Sequence, residues 1–242
     1  MALTLHVDAA RWRAHLSATL AANPGLIPVV KGNGYGFGLD LLVAECARLH
    51  GSAGVGMIAV GTYAEAPLAL AAFPGDVLVM EPYRPVIHDA LPHLGDGALV
   101  HTITHGPDLD ELAGRVGRPR VVVEGLSSMN RHGIPAEWMQ PALDALAPCD
   151  LLGLSLHLPL GSGHVAEVRR WAHVWTRYPS ALANTPVTSS APQTVHPRGT
   201  PRSPRASATT SSPRNAAAIS TNVKASASTR GAYRSIRTIW NV

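Results

Sequence analysis

Six short apolar runs, each followed by a stretch with helical spacing, limit what this chain can fold into more than any other feature. The runs are Leu26–Lys31, Met57–Gly61, Asp76–Met80, Ala98–Ile103, Arg120–Glu124 and Leu151–His157. The helical stretches between and after them are Leu39–His50, Tyr63–Ala72, Pro85–Leu91, Asp108–Val116, Pro135–Leu146 and Val165–Trp175, with a further one over Asp8–Ala22 ahead of the first run. The apolar runs are continuous rather than alternating, as expected of strands covered by helices on both faces. Strand starts recur roughly every 20–30 residues, the rhythm of βα units. The fold class is α/β, either a (β/α) barrel or a doubly wound sheet. A complete barrel needs eight strands, and the periodicity yields about six βα units.

The pattern stops near Tyr178. Residues 178–242 are rich in Ser, Thr, Ala, Pro and Arg and show little apolar periodicity. All 16 acidic residues lie at or before Glu167, where only 9 of the 20 basic ones are found; the remaining 11 follow it. The alkaline isoelectric point of about 9.4 therefore belongs to the tail. Such a segment buries too little apolar surface to offset its ordering entropy. The chain divides into an incomplete barrel over 1–177 and a low-complexity basic tail over 178–242, expected to be disordered. The abrupt loss of acids reads as truncation or a change of reading frame after about residue 175. An open six-stranded sheet would leave two edges unpaired.

Several function classes drop out. Cys46 and Cys149 are far apart and form no CxxC pair, which argues against a disulfide framework and for a cytoplasmic setting. No signal peptide and no apolar run of membrane-spanning length is seen, so no membrane partner is expected. His101 and His105 are four apart, but Thr102 follows the first where a helical zinc motif has glutamate, so no metal is expected. The tail's arginines could hold nucleic acid non-specifically, but Tyr233 and Trp240 are its only late aromatics and nucleic acid is not the expected partner. Trp171 and Trp175, at i and i+4, read as a helix packing face.

The segment Val29–Gly38, VVKGNGYGFG, carries the chemistry. Lys31 ends the first apolar run and is the only lysine among the first 223 residues. Arginine serves elsewhere, so lysine here points to something arginine cannot do, namely lose its proton and act as an amine. Desolvation at a buried strand end lowers an amine's pKa and frees it for Schiff-base chemistry. The C-terminal strand ends of a barrel form its active face. Spacing alone leaves a plain glycine-rich turn with a solvent-facing lysine open; P-loop and GxGxxG readings both fail.

VVKGNGYGFG resembles the cofactor-lysine segment of alanine racemases and related fold-type III pyridoxal-phosphate enzymes, matching at Lys31, Asn33, Tyr35, Gly36 and Gly38. Gly125–Ile134 (GLSSMNRHGI) is similar to the family's Asp-Thr-Gly-Met-Asn-Arg-Leu-Gly-Phe stretch at Met129, Asn130, Arg131 and Gly133. Gly153–Pro159 (GLSLHLP) is similar to its Gly-Leu-Met-Thr-His segment at Gly153, Leu154 and His157. The resemblance covers roughly residues 1–175 and implies a partial TIM-type barrel. It also implies pyridoxal 5'-phosphate as cofactor, a small amino acid as substrate and a homodimer as the family's assembly. Under it, Lys31 binds the cofactor and serves as one of two bases, Tyr35 bonds its phosphate, Arg131 reaches its phenolic oxygen or the substrate carboxylate, and His157 lies beside the pyridine ring.

Three departures stand out. The family's second base is a tyrosine in a C-terminal domain, and neither Tyr178 nor Tyr233 has its context. The family's late phosphate loop and the arginine facing the pyridine nitrogen have no counterpart here. Glu124 stands where many members have lysine. The reading is thus an amino-acid racemase-like protein impaired by loss of that domain, the alternatives being a non-catalytic pyridoxal-phosphate carrier or a protein acting through its basic tail.

Overall fold

The computed structural model describes residues 6–146, 148–159 and 164–177, together with the backbone of 187–190 and 237–241. Six parallel strands run in chain order: β1 (Ile27–Val29), β2 (Met57–Val60), β3 (Asp76–Pro82), β4 (Leu99–Ile103), β5 (Arg120–Gly125) and β6 (Asp150–His157). The helices are α1 (Ala9–Ala22), α2 (Leu39–Ala53), α3 (Ala66–Ala72), α4 (Pro85–His88), α5 (Pro107–Val116), α6 (Met139–Asp144) and α7 (His164–Trp175). Each of β1 to β6 is followed by a helix, so the expected βα rhythm holds and the sheet curls as a barrel rather than opening as a doubly wound sheet.

Two short strands, β7 (Val187–Ser190) and β8 (Arg237–Asn241), come from the segment expected to lack structure. β7 pairs with β6 (Leu154 opposite Val187), β8 with β1 (Ile27 opposite Ile239), and the two with each other, which closes the ring. Both edges of the six-stranded sheet are thereby paired, which corrects the expectation of two open edges. The rest of the segment 178–242 lies outside the described residues.

The core has two layers. Ile27, Val29, Met57, Ala59, Leu78, Val100 and Val122 form a cluster of their own, with Met80 and Leu152 against it. These are alternate strand residues, and they fill the barrel interior. The other set, including Val30, Ile58, Val60, Val77, Val79, Val121, Val123, Leu154 and Leu156, packs against buried helix residues such as Leu42, Leu109, Met139, Trp171 and Trp175. Both tryptophans face inward, as their spacing predicts.

Local chemistry sets the helix ends. Asp8 accepts the Arg11 N–H at the start of α1 (3.0 Å), and α2 stops at Gly54 in a left-handed conformation. Asp108 and Asp110 sit in the first turn of α5 and Arg115 in its last, with the helix dipole. Because all strands run parallel, their C-terminal ends share one rim, which carries Lys31, Gly61, Gly125 and His157.

Candidate functional site

The rim is built from β1 outward. The Val30 N–H still donates to the Ala59 carbonyl (2.7 Å), and at Lys31 the backbone leaves the sheet. The glycines that follow, Gly32, Gly34, Gly36 and Gly38, all take positive φ, between 58° and 93°. Gly34 shows why: a Cβ there would lie 2.8 Å from the Leu39 backbone nitrogen. Tyr35, between them, is left-handed without being glycine (φ 55°, ψ 28°), a conformation that costs energy and collects at functional sites. The Asn33 side chain accepts the Gly36 N–H at 3.2 Å and closes the turn.

Glu65 holds this loop from the next βα unit. One of its carboxylate oxygens accepts the Gly32 N–H (2.7 Å); the other accepts those of Gly61 (2.6 Å) and Thr62 (3.2 Å). The carboxylate therefore bridges the ends of β1 and β2. A Cβ at Gly61 would stand 3.1 Å from both the Lys31 Cβ and the Glu65 carboxylate, so glycine leaves the room in which they meet. The sequence reading missed Glu65. Its only local signal was an acid at a helix start, which the helix dipole explains equally well.

Across the rim, the loop after β5 brings up Arg131 and His132. It is pinned at its base, with the Ile134 N–H donating to the Glu124 carbonyl (2.8 Å) and the Leu126 N–H to the Ile134 carbonyl (2.9 Å). Ser127 donates its hydroxyl to the carbonyl of His157, tying the loop to the end of β6. Ser128 reaches the Glu167 carboxylate on α7 through both N–H and O–H, each at 2.6 Å. Ser127 and Ser128 thus fasten the loop to two other elements.

The electrostatics show which of these groups share a space. Burial first, then the positive charge of Arg131, hold the Lys31 amine below its ordinary pKa, while Glu65 opposes them. The His157 ring is pushed down to about 4 by burial, with Arg131, His132 and Lys31 adding to the effect. Burial and the nearby Glu65 push the Tyr35 phenol up to about 12. The rim thus places Lys31, Arg131 and His157 within electrostatic reach of one another, and Tyr35 beside Glu65 on the Lys31 side. The His132 and His157 rings stand edge to face, 6.1 Å apart.

His101 and His105 do not form a pair. His101 is buried in the outer layer, 2.9 Å from the Tyr63 hydroxyl, and His105 is exposed beside Asp108. Among the described residues no group of three or more His, Cys, Asp or Glu is placed to hold a metal, and no helix is long and apolar enough to cross a membrane.

A family model described as "Alanine racemase, N-terminal domain" matches residues 5–212. The chain belongs to this family. Solved alanine racemases and a diaminopimelate decarboxylase share its fold. Alanine racemase from Clostridium difficile 630 superposes with a TM-score of 0.60 at 20% identity, over 76% of this chain and 53% of that one. Alanine racemase from Bacillus anthracis with bound L-Ala-P gives 0.56 at 18%, over 75% and 49%. SrLDC in complex with PLP and cadaverine gives 0.55 at 15%, over 76% and 48%. The chain thus spans about half the length of the structures it matches. No curated protein sequence matches it.

Proposed function

We propose that this chain is the cofactor-binding barrel of a pyridoxal-phosphate-dependent amino-acid racemase-like enzyme, with Lys31 as the amine that carries the cofactor. One observation carries the reading: the chain's early lysine stands at the barrel rim, where burial and the positive charge of Arg131 disfavour its ammonium form.

The residues present fit the group. Lys31 Nζ, with its protonated form disfavoured, is the nucleophile for an aldehyde and afterwards a base that holds the proton taken from Cα. Tyr35 keeps its phenolic proton through the neutral range and so donates to a phosphate oxygen. Arg131 orients an anionic oxygen, either the phenolic one of the cofactor or the carboxylate of the substrate. His157, uncharged at neutral pH, would lie beside the pyridine ring of the cofactor without adding positive charge. Pyridoxal phosphate, when bound, supplies the electron sink that stabilises the carbanion left by proton loss. Residues 1–177 then carry the six βα units, and the basic segment 178–242 supplies the two short strands that close the ring.

Incubation of the full chain with pyridoxal phosphate tests this. The expected result is a visible absorption band abolished by borohydride, with the reduced pyridoxyl group on the Lys31 peptide by mass spectrometry. Solvent deuterium entering Cα of alanine would mark catalysis, and labelling without exchange a carrier. No borohydride-dependent label on Lys31 overturns the reading.

A further inference from the structure

Three histidine rings surround Tyr63, which lies in the turn between β2 and α3 that also carries Glu65. The His88, His93 and His101 rings stand 4.3, 6.5 and 5.8 Å from the Tyr63 ring. Tyr63 is 1% exposed, and His88 and His101 are buried with it. The chemistry at the rim uses none of these groups.

In both buried rings Nδ1 already accepts a hydrogen bond. Burial pushes the pKa of the Tyr63 phenol well up, so it keeps its proton and donates it to His101 Nδ1 at 2.9 Å. The Arg84 N–H donates to His88 Nδ1 at 3.0 Å. A nitrogen that accepts presents its lone pair, so both rings are neutral and any other proton sits on Nε2. A further proton from acid must then take Nδ1, and to do so it must break the bond that Nδ1 accepts.

The surroundings resist that charge while the nest stays closed. Glu81 faces His88 from β3, its Oε1 3.6 Å from Nε2, but its other oxygen holds the Tyr63 N–H at 3.2 Å. Asp89, at the end of α4, is engaged by the Tyr83 hydroxyl and by Arg115 of α5. Arg84 adds positive charge beside His88 and is itself paired with Asp108 of α5, while Glu111 of that helix acts on Tyr83. Burial, then His93 and His88, hold down His101, against a backbone bond with Leu94. The Nε2 of His93 is buried and has no hydrogen-bond partner among the described residues.

The nest is joined to the lysine through one short turn. The Glu65 N–H donates to the Thr62 carbonyl (3.2 Å) and the Ala66 N–H to that of Tyr63 (3.3 Å). From this turn Glu65 reaches the amides of Gly61, Thr62 and Gly32, the last next to Lys31. We propose that Tyr63, His88 and His101 form an acid-sensitive latch on the lysine turn: neutral rings hold residues 61–65 in place, and their protonation frees Tyr63 and with it the grip of Glu65 on Gly32. Both rings gain protons on opening, so the release is steeper than a single titration. That the freed turn is a cofactor site rests on the function proposed above; the latch does not.

Hydrogen exchange by NMR on the full chain without cofactor tests the latch. The amides of Gly32, Gly61, Thr62 and Tyr63 should open more readily than those of β5. Their opening constant should rise about tenfold or more between pH 7 and pH 5, with more than one proton taken up. Wild-type histidine spectra should show His88 and His101 gaining protons in that same step. The pair His88→Gln and His101→Gln should flatten the rise. Rings that stay neutral while the amides open overturn the latch, since the titration then lies at Glu65 or beyond. Turn amides that open only together with β5 overturn it as well, because the nest is then plain core. Should the double variant not fold, the wild-type amide and histidine titrations decide. Failure of Lys31 to take a borohydride-dependent pyridoxyl label overturns the proposed function and leaves the exchange result to judge the latch.

Discussion

The carboxylate of Glu65 accepts the Gly32 amide at 2.7 Å from 33 residues along the chain, so the backbone just after Lys31 is held by the neighbouring βα unit. Glu65→Ala would leave three backbone N–H groups at the rim without their acceptor. The expected loss is about 1–3 kcal/mol of stability, read as a lower denaturant midpoint at unchanged slope. Glu65→Gln, which retains one acceptor oxygen, should fall between.

The amine of Lys31 is set by opposing neighbours. Arg131 disfavours the ammonium form and Glu65 favours it. Arg131→Gln should therefore raise the Lys31 pKa, and Glu65→Gln should lower it. The pH dependence of borohydride-trapped pyridoxal phosphate reads both, with midpoints displaced in opposite directions from a wild-type value below 10.5. Displacement of both in the same direction would contradict the arrangement.

Tyr35 keeps its proton up to about 12. Tyr35→Phe should weaken cofactor affinity roughly tenfold through loss of one bond to a charged group, while Lys31 remains the labelled residue. The ratio of wild-type to variant affinity should stay flat from neutral pH to about 10, since the phenol does not titrate there. A ratio that changes across that range would argue against the phenol as donor.

Acid should unfold the barrel through His101. This ring is 1% exposed, 2.9 Å from the Tyr63 hydroxyl, and pushed down to about 4 chiefly by burial. The unfolded chain binds the proton more readily, so His101 costs nothing above its ordinary value of 6.5, and stability falls as pH drops from there to about 4. The span corresponds to on the order of 3 kcal/mol. His101→Gln should flatten this part of the stability–pH curve, measured by denaturant titration at successive pH values.

Much of the scaffold could be read from periodicity, because continuous apolar runs and helical spacing report burial directly. The deviations have physical causes. Tyr63 was expected inside a helix, yet α3 begins only at Ala66, since Tyr63 is buried against His101 and its N–H donates to the Glu81 carboxylate at 3.2 Å. The stretch Pro135–Leu146 splits into a 3-10 turn, Ala136–Trp138, and the short α6, with Pro141 inside it. β7 and β8 come from polar, irregular sequence with no period to announce them. At the site, Lys31, Arg131 and His157 were visible as residue types at strand ends. Glu65 and the Glu124–His132 contact were not, because only the pairing of β1 with β2 and the turn at Gly133 bring those groups to their partners.

The two-residue alternation along each strand has a consequence for how such a barrel can change. Lys31 and Glu124 share a parity with the interior residues of their strands, and in β6, beyond its register shift, His157 alternates with Leu154 and Leu156, which join Val30 and Val123 against the helices. Gain or loss of one residue within β5 or β6 would keep the apolar content but exchange the two sets, turning the acid or the imidazole onto greasy helix surfaces and a valine or leucine into the mouth. Substitutions can tune this rim one side chain at a time; a single-codon indel in its strands would erase it at a stroke.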